Sequence, residues 1–586
     1  MTRIKISHSK DKQFLLFAIF FLIIKLILMK DVTIYAITTA FADDQLMVHI
    51  AEKLLRLNWL GGYNHYTLAK GCFFPFFLAV GKFFHIDFIS CVQIFYALSC
   101  YLFLRAIRPV ICFQWTIYPF YLLMLFNPIM ASSEVIQRVY RNSITPAQVL
   151  LVFGGQFGFY LRYQYGKKFS MKWAIVTTCG FISLWFSRED TIWIVPFLIV
   201  SASVIFLKAI IHGFFHNVTC KKRVQYIIIL LLPFLALPVC RLPITLINGV
   251  VYNSWTDNEL THGAFPKVMK ALYAIDMEEP TPYTSISREK IEKVYEISPT
   301  LASIQDSLDA VMDLYAAQSG RIEENKKYGN VENGWFFWAL RDAVQLEGYY
   351  KDGRTADRFY QAIYNEIEIA FKNGKLRQQA TMPSALMPPW QSGMLSSLLS
   401  TIAQADAYVS SENELFLLDR IAVDDGSDGI ARFEWITGRH AVKAVSSIDS
   451  YIYSDSSAYI DSNFSYSFFN SLARIFQIIS MPLALIGKIC SLILLLLFFI
   501  KKQNASILLM LSGIAGGLLC LYAGVAYNEL RSCSSIAYMY LCGAYPLAQV
   551  FSVLAIIAVV QTLIAFKTIN LIKNIPQIWM DIAAKK

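Results

Sequence analysis

The chain has 586 residues, of which 56% are hydrophobic and 16% are charged, and its formal net charge is +10. Soluble domains carry about 25% charged residues, and here the deficit falls on residues 1–250 and 466–570, which are nearly continuous apolar runs. The basic residues lie in short breaks between these runs, which favours insertion into a lipid bilayer and argues against a nucleic-acid partner.

Runs of about 20 apolar residues are long enough to cross a bilayer, so the sequence predicts an all-α polytopic membrane protein. Ten transmembrane helices are expected, at about residues 14–36, 88–106, 110–131, 146–163, 171–187, 191–210, 224–246, 480–500, 505–526 and 546–566. We interpret the first run as a permanent span, because no small-residue cleavage site follows it.

The basic breaks orient these spans. With a cytoplasmic N-terminus, three basic loops lie on the cytoplasmic side, as the positive-inside rule requires. These loops carry Arg105 and Arg108, Lys167 and Lys168, and Lys221. This orientation predicts a protein of the cell membrane with both termini in the cytoplasm. Its large polar insert is then extracytoplasmic.

Three parts are expected along the chain. Residues 1–250 form an N-terminal transmembrane module of about seven helices, with a first external loop at 40–87. Residues 251–465 form a mainly helical extracytoplasmic domain, and 466–586 form a C-terminal module of about three helices with a cytoplasmic tail. Helical periodicity within the external domain is found at 301–318, 334–350, 355–372 and 395–419.

The first external loop carries the most informative pattern. It opens with Asp43 and Asp44 and continues as an amphipathic helix, whose apolar face is Leu46, Met47, Ile50, Leu54 and Leu57. A turn rich in glycine and aromatic residues leads to Lys70-Gly71 and then to a second apolar helix, Phe73–Ile86. Both amphipathic pieces are typical of helices that lie at the membrane interface.

The acidic pair has two interpretations. Asp43 precedes an apolar-periodic run, where an aspartate is a good N-cap of the helix. Alternatively, acids placed where a span meets water have a partner or a functional role, because their burial is costly.

Further charges are expected on the same side of the membrane. Arg138 and Arg141, with Glu134, lie in the second external loop, and Arg188, Glu189 and Asp190 lie between two apolar spans. Three consecutive charges in that position face a polar cavity or pair with one another. In the external domain, the aromatic stretch Gly334–Ala343 suits either sugar binding or packing on the membrane part.

The first loop resembles that of the glycosyltransferase-C superfamily, polytopic enzymes that use lipid-linked sugars and include protein mannosyltransferases and the lipid A aminoarabinose transferase. The resemblance is carried by Ala42–Leu46, Asn58–Asn64 and Thr67–Ala79, with Cys72 where the family often has proline. It continues weakly at Arg188-Glu189-Asp190 and at Tyr538-x-Tyr540 with Tyr545-Pro546.

The resemblance implies an inverting transfer of a hexose or pentose from a polyprenyl-phosphate donor to a hydroxyl of a glycan, lipid or protein acceptor, catalysed by the module 1–250. Asp43 or Asp44 would be the general base, with Asp43 favoured as the first acid of the pair. Lys70, Arg138 and Arg188 would bind the lipid phosphate, and Glu189 and Asp190 would position the acceptor or a divalent metal, the one cofactor left open. Lys70 is equally suited to anchor lipid headgroups.

Two alternatives remain at this point. The first is an enzyme similar to an O-antigen ligase or polymerase, which would use a polyprenyl diphosphate donor. The second is a non-enzymatic lipid or glycan transporter, although inverted repeats and broken midplane helices, which are typical of transporters, are not evident in the sequence.

Overall fold

A computed structural model of the protein describes residues 8–163, 167–211, 219–318, 327–382, 384–418, 421–422, 429–443, 463–501 and 504–583. Its helices are α1 (His8–Leu28), α2 (Asp44–Leu55), α3 (Phe73–Phe83), α4 (Phe88–Ile107), α5 (Ile117–Leu125), α6 (Thr145–Arg162), α7 (Lys167–Trp185), α8 (Val195–Ile211), α9 (Cys220–Leu230), α10 (Leu232–Tyr252), α11 (Phe265–Ala274), α12 (Arg288–Ile297), α13 (Pro299–Ala302), α14 (Gln305–Gln318), α15 (Asn333–Leu346), α16 (Gly353–Lys372), α17 (Leu395–Ser411), α18 (Gly429–Thr437), α19 (Phe464–Lys501), α20 (Ala505–Arg531), α21 (Tyr538–Leu541) and α22 (Ala544–Ala583). Two short strands, β1 (Ile421–Ala422) and β2 (Val442–Lys443), pair in parallel.

Within the described residues, seven helical segments are long and apolar enough to cross a membrane. They are Phe88–Val110, Arg141–Arg162, Thr191–Ile211, Leu232–Tyr252, Phe464–Ile500, Ala505–Arg531 and Ala544–Ala565. Each corresponds to one of the expected spans. The chain is therefore a helical, multi-pass membrane protein, as its composition predicts.

The other three expected spans differ from the prediction in length or composition. The runs at 14–36 and 171–187 form α1 and α7, which have 21 and 19 residues, but α1 carries Asp11, Lys12 and Lys25 and α7 begins with two lysines. The run at 110–131 contains only the nine α-helical residues of α5. Nine residues rise about 14 Å, less than half of a bilayer core.

The early end of α5 has a local cause. Pro128 follows Asn127, whose side chain accepts a hydrogen bond from the amide of Ile129, and proline cannot continue the helix. The buried Lys25 of α1 donates to the carbonyl of Leu125, the last residue of α5, at 2.6 Å. The carbonyl of Leu125, which has no partner within the helix, thus has a hydrogen-bond donor inside the protein. Irregular backbone is permitted at membrane depth where its polar groups have such partners.

The helices form a bundle with two polar ends. At one end Arg108 pairs with Asp11, Lys208 donates to Tyr160 at 2.7 Å and Asn504 donates to Thr562 at 2.9 Å. At the other end lie the first loop, the residues after α5 and the turn between α7 and α8. The polar sequence breaks at these positions therefore lie at two ends of the bundle.

The polar insert contributes to two separate cores. Buried residues from Leu260 to Ala385 form one core, built from α11 to α16. Buried residues from Ala405 to Ala441 belong instead to the core of the membrane part, where α17 packs on α20 and α18 packs on α2. The described part of the expected external domain 251–465 thus forms a second core, into which Ala69 of the first loop packs, followed by a segment laid against the membrane helices. The helices expected inside it are present, as α14 to α17.

Two fully buried arginines join the core of α11 to α16 to other parts of the chain. Arg341 of α15 donates to the backbone carbonyl of His65 in the first loop and pairs with Glu259 at 3.0 Å. Arg531, at the end of α20, pairs with Glu279 at 2.9 Å. Arg341 thus fixes the core of α11 to α16 to the first loop, and Arg531 fixes it to α20.

Candidate functional site

The carboxylate of Asp43 lies at the centre of a charged cluster. Its Oδ1 atom is 3.0 Å from Nζ of Lys70 and accepts a hydrogen bond of 2.7 Å from the hydroxyl of Tyr140. Arg138 approaches Oδ2 at 3.9 Å. The side chain of Asp43 is 39% exposed, whereas that of Lys70 is 11% exposed. The cluster thus presents one accessible carboxylate supported by buried donors.

The capping interpretation of Asp43 is not what the structure shows. Asp43 does precede α2, but its side chain makes no hydrogen bond to the first amides of that helix. Its backbone carbonyl instead accepts from the amide of Met47. The carboxylate is therefore directed to Lys70 and Tyr140 and is not used to start the helix.

Asp44 makes different contacts. Its side chain is fully buried, and Arg138 donates to both of its oxygens at 2.7 to 3.0 Å. Arg138 also contacts Glu134 at 3.3 Å. The bidentate pair with Asp44 uses Nε and Nη2 of Arg138, and it joins the first loop to the segment after α5.

The environment separates the acidities of the two acids. Burial opposes ionisation of Asp43, but Lys70, Arg138 and the Tyr140 hydroxyl outweigh it and hold the pKa of Asp43 well below its usual range. Burial raises the pKa of Asp44 to about 6, against the opposing effect of Arg138. Asp43 is thus the acid that is both accessible and ionised near pH 7.

Close backbone contact positions Lys70. Gly71 packs so tightly on the turn after α7 that a Cβ atom there would lie 2.1 Å from the carbonyl oxygen of Phe186. The amide of Gly71 donates to Oε1 of Glu189 at 3.1 Å. On the other side, the ring of Trp338 lies 5.3 Å from Nζ of Lys70. Only glycine permits this approach, which holds Lys70 beside Asp43.

The predicted charges at 188–190 lie next to this cluster. Arg141 pairs with Glu189 at 2.5 Å and has its guanidinium over the ring of Tyr140. Arg188 pairs with Asp190 at 2.7 Å and donates to Asn142 at 2.8 Å. Since Tyr140, Arg141 and Asn142 are consecutive, one short segment connects Asp43 to the turn between α7 and α8.

All seven predicted site residues thus come to one end of the bundle, but with different accessibility. Asp43 and Lys70 contact each other at its centre. Arg138 and Arg188, predicted to bind phosphate, are held by Asp44 and by Asp190.

Three residues were missed as members of the site: Tyr140, Arg141 and Trp338. Arg141 carried a signal, since it lies on the same predicted side as Asp43. Nothing in the sequence indicated a site role for Tyr140, because a tyrosine in a loop next to an arginine is common. Trp338 belongs to a stretch whose aromatics suited packing or sugar binding, and the structure shows it packed in the core of α11 to α16 with its ring near Lys70.

No group of three or more His, Cys, Asp or Glu side chains in the described part of the chain is placed to hold a metal ion. The carboxylates of Glu189 and Asp190, expected to position the acceptor or a divalent metal, contact Arg141 and Arg188.

Comparison of the chain with models of protein families, with curated proteins and with solved structures gives no match.

Proposed function

We propose that the protein is a membrane glycosyltransferase that moves a sugar from a polyprenyl-phosphate donor to an acceptor hydroxyl, with inversion, at the extracytoplasmic face. The observation that carries the proposal is the exposed carboxylate of Asp43, held between Lys70 and the Tyr140 hydroxyl at the end of a membrane bundle. The resemblance of the first loop to the glycosyltransferase-C superfamily supports the same assignment.

The proposed chemistry uses Asp43 as general base. The acceptor hydroxyl gives its proton to the Asp43 carboxylate while its oxygen forms a bond to the anomeric carbon. The bond between that carbon and the phosphate oxygen breaks, and the phosphate leaves with the electron pair. A hydroxyl of high pKa becomes nucleophilic only when a positioned base accepts its proton. Tyr140 keeps the carboxylate in place.

Lys70 has a second role in this scheme. In the protein without substrate it neutralises Asp43, which is then a weak base. A donor phosphate attracts the ammonium group and becomes its partner, as developing negative charge requires a cation. Asp43 then loses its neutralising contact, and its pKa rises because the group is still partly desolvated. Donor binding would thus activate the base.

The experiment is a transfer assay with the full-length protein in liposomes. Labelled polyprenyl-phosphate hexose and pentose are supplied with a cell-envelope fraction as acceptor, and formation of free polyprenyl phosphate is measured together with labelled product. The corresponding polyprenyl diphosphate sugars are tested in parallel. Release of polyprenyl monophosphate supports the proposal, whereas activity with diphosphate donors alone would assign the protein to the ligase or polymerase type.

A further inference from the structure

Two cavities lie beside the catalytic cluster, where the core of α11 to α16 meets the membrane helices. The inner cavity has a volume of about 300 Å³ and is lined by Gly71, Arg188 and Glu189. The outer cavity has a volume of about 250 Å³ and extends along α10 and the start of α16. Each approaches the size of ligand sites, which begin at roughly 300 Å³.

The two cavities adjoin each other. His262 lines both of them, and Arg241 of the outer cavity pairs with Asp257 of the inner cavity at 2.8 Å. Residues 253–263 form a shared wall. We refer to these two adjoining cavities together as the groove, which extends from Glu189 of the site to the start of α16.

The charges that line the groove cancel. The inner cavity has two cations and two carboxylates, Arg188, Lys270, Glu189 and Asp257. The outer cavity has the same balance, with Arg241, Arg354, Glu259 and Asp357. Burial lowers the pKa of His262, so its imidazole adds no charge near pH 7. A strongly anionic ligand would find no net attraction here, whereas a ligand rich in hydroxyl groups would find both donors and acceptors.

Aromatic rings line both cavities. Trp185 and Phe186 line the inner cavity, and Trp255 lines the outer one with 63% of its surface exposed. Trp255 is supported from behind, because it packs so closely on α10 that a Cβ atom at Gly249 would lie 2.7 Å from its ring. A rigid indole with one open face, next to paired acids and bases, suits the apolar face and hydroxyl edges of a sugar.

We infer that this groove binds a neutral carbohydrate, and that this carbohydrate is the acceptor of the transfer. The inference rests on the proposed function for the role of the ligand, but the binding itself does not depend on catalysis. Glu189 connects the groove to the site, since its two oxygens contact the Gly71 amide and Arg141. A sugar bound in the inner cavity would thus lie against the turn that positions Lys70.

The test measures binding of neutral trisaccharides (maltotriose, mannotriose and triacetylchitotriose) to the full-length protein by saturation-transfer difference NMR. Trigalacturonate is the anionic comparison. We expect saturation transfer to at least one neutral trisaccharide, and an affinity about fivefold lower in Trp255→Ala, since the loss of one aromatic face is worth about 1 kcal/mol. Thr261→Trp, at an exposed position in the wall of the inner cavity, should also block binding without removing a core contact.

The matched control is Trp115→Ala. Trp115 is 68% exposed and lies at the opposite end of the bundle, next to Gln114, which accepts from Arg108. Its replacement should leave sugar binding unchanged. Binding of the anionic trisaccharide alone, no binding of any neutral one, or equal effects of Trp115→Ala and Trp255→Ala would overturn the inference.

The outcomes separate this inference from the proposed function. Neutral trisaccharides should bind Asp43→Asn as they bind the wild type, because Asp43 does not line the groove. If transfer occurs but the acceptor KM is unchanged in Trp255→Ala and Thr261→Trp, the groove is not the acceptor site and the transferase proposal stands. If sugar binds but no lipid-linked sugar is ever consumed, the transferase proposal fails and the groove remains a glycan site.

Discussion

Asp43 and Asp44 are neighbours in the chain, yet each carboxylate faces a different cation. Asp43 contacts Lys70 at 3.0 Å and is partly exposed, whereas Asp44 forms a bidentate pair with Arg138 and is fully buried. One acid can therefore meet a substrate, and the other holds two loops together. This division of roles makes the two positions experimentally distinguishable.

Replacing Asp44 should affect stability more than chemistry. Asp44→Asn leaves the guanidinium of Arg138 buried with only Glu134 as a charged partner at hydrogen-bond distance, and breaking such a pair costs about 3 kcal/mol. Thermal melting in detergent should show a clear fall in Tm. The double variant Asp44→Asn with Arg138→Gln should recover part of this loss, because the buried guanidinium that lost its bidentate carboxylate is gone as well. Simple additivity of the two effects would argue against the pair.

Removing Lys70 should change the pH dependence of turnover. Without the ammonium group, the pKa of Asp43 rises, so the acidic limb of kcat/KM should move to higher pH in Lys70→Gln. The sign follows because the base acts only when it is ionised. Donor KM should rise in both Lys70→Ala and Lys70→Gln, because both variants lack the charge.

Lys82→Gln is the control for this experiment. Lys82 lies on α3 with its ammonium group 5.2 Å from the ring of Trp435, away from Asp43. Its pH profile should match that of the wild type. An unchanged profile in Lys70→Gln as well would leave Lys70 as an anchor for lipid headgroups.

The Lys70-Gly71 turn should tolerate no side chain. In Gly71→Ala the new Cβ would collide with the backbone of Phe186, and overpacking of this kind costs about 1–3 kcal/mol. We expect a lower Tm together with reduced turnover, since Lys70 moves with the turn. Gly62→Ala is a matched control on the same loop, because no atom lies within 4 Å of a Cβ placed there. Similar melting curves for the two variants would show that the contact does not constrain the turn.

The proposed orientation predicts which face of the membrane is labelled. In a background in which the exposed Cys112, Cys179 and Cys220 are serine, a cysteine at Lys375 should react with a membrane-impermeant maleimide added to intact cells. A cysteine at Lys221 should react only after the membrane is opened. The reverse pattern would place Asp43 on the cytoplasmic face and exclude an extracytoplasmic transfer.

Much of the first loop was predictable from local pattern. The amphipathic period gave α2, the short apolar run gave α3, and the basic breaks placed Asp43, Lys70 and Arg188 on one side. These features depend on residues close together in the sequence, where helical periodicity and charge are informative.

The partners of the charged residues were not predictable in the same way. Whether Arg138 faces Asp44 or a phosphate depends on how loops 94 residues apart meet. The packing of α17 on α20 was not predictable for a related reason, because it depends on how two segments far apart in the sequence meet. The same holds for the partner of the last α5 carbonyl, Lys25, which lies 100 residues away in the sequence.

The central claim is that Asp43 is the general base, and transfer by Asp43→Asn in liposomes tests it most directly. Asparagine keeps the size of the side chain and its contact with Tyr140 but cannot accept the proton, and a general base contributes about 10²–10⁴-fold. The account predicts a loss of turnover in that range. It also predicts a lower Tm, because Lys70, whose side chain is only 11% exposed, loses its carboxylate partner. Near-normal release of polyprenyl phosphate by the folded Asp43→Asn variant would contradict the account.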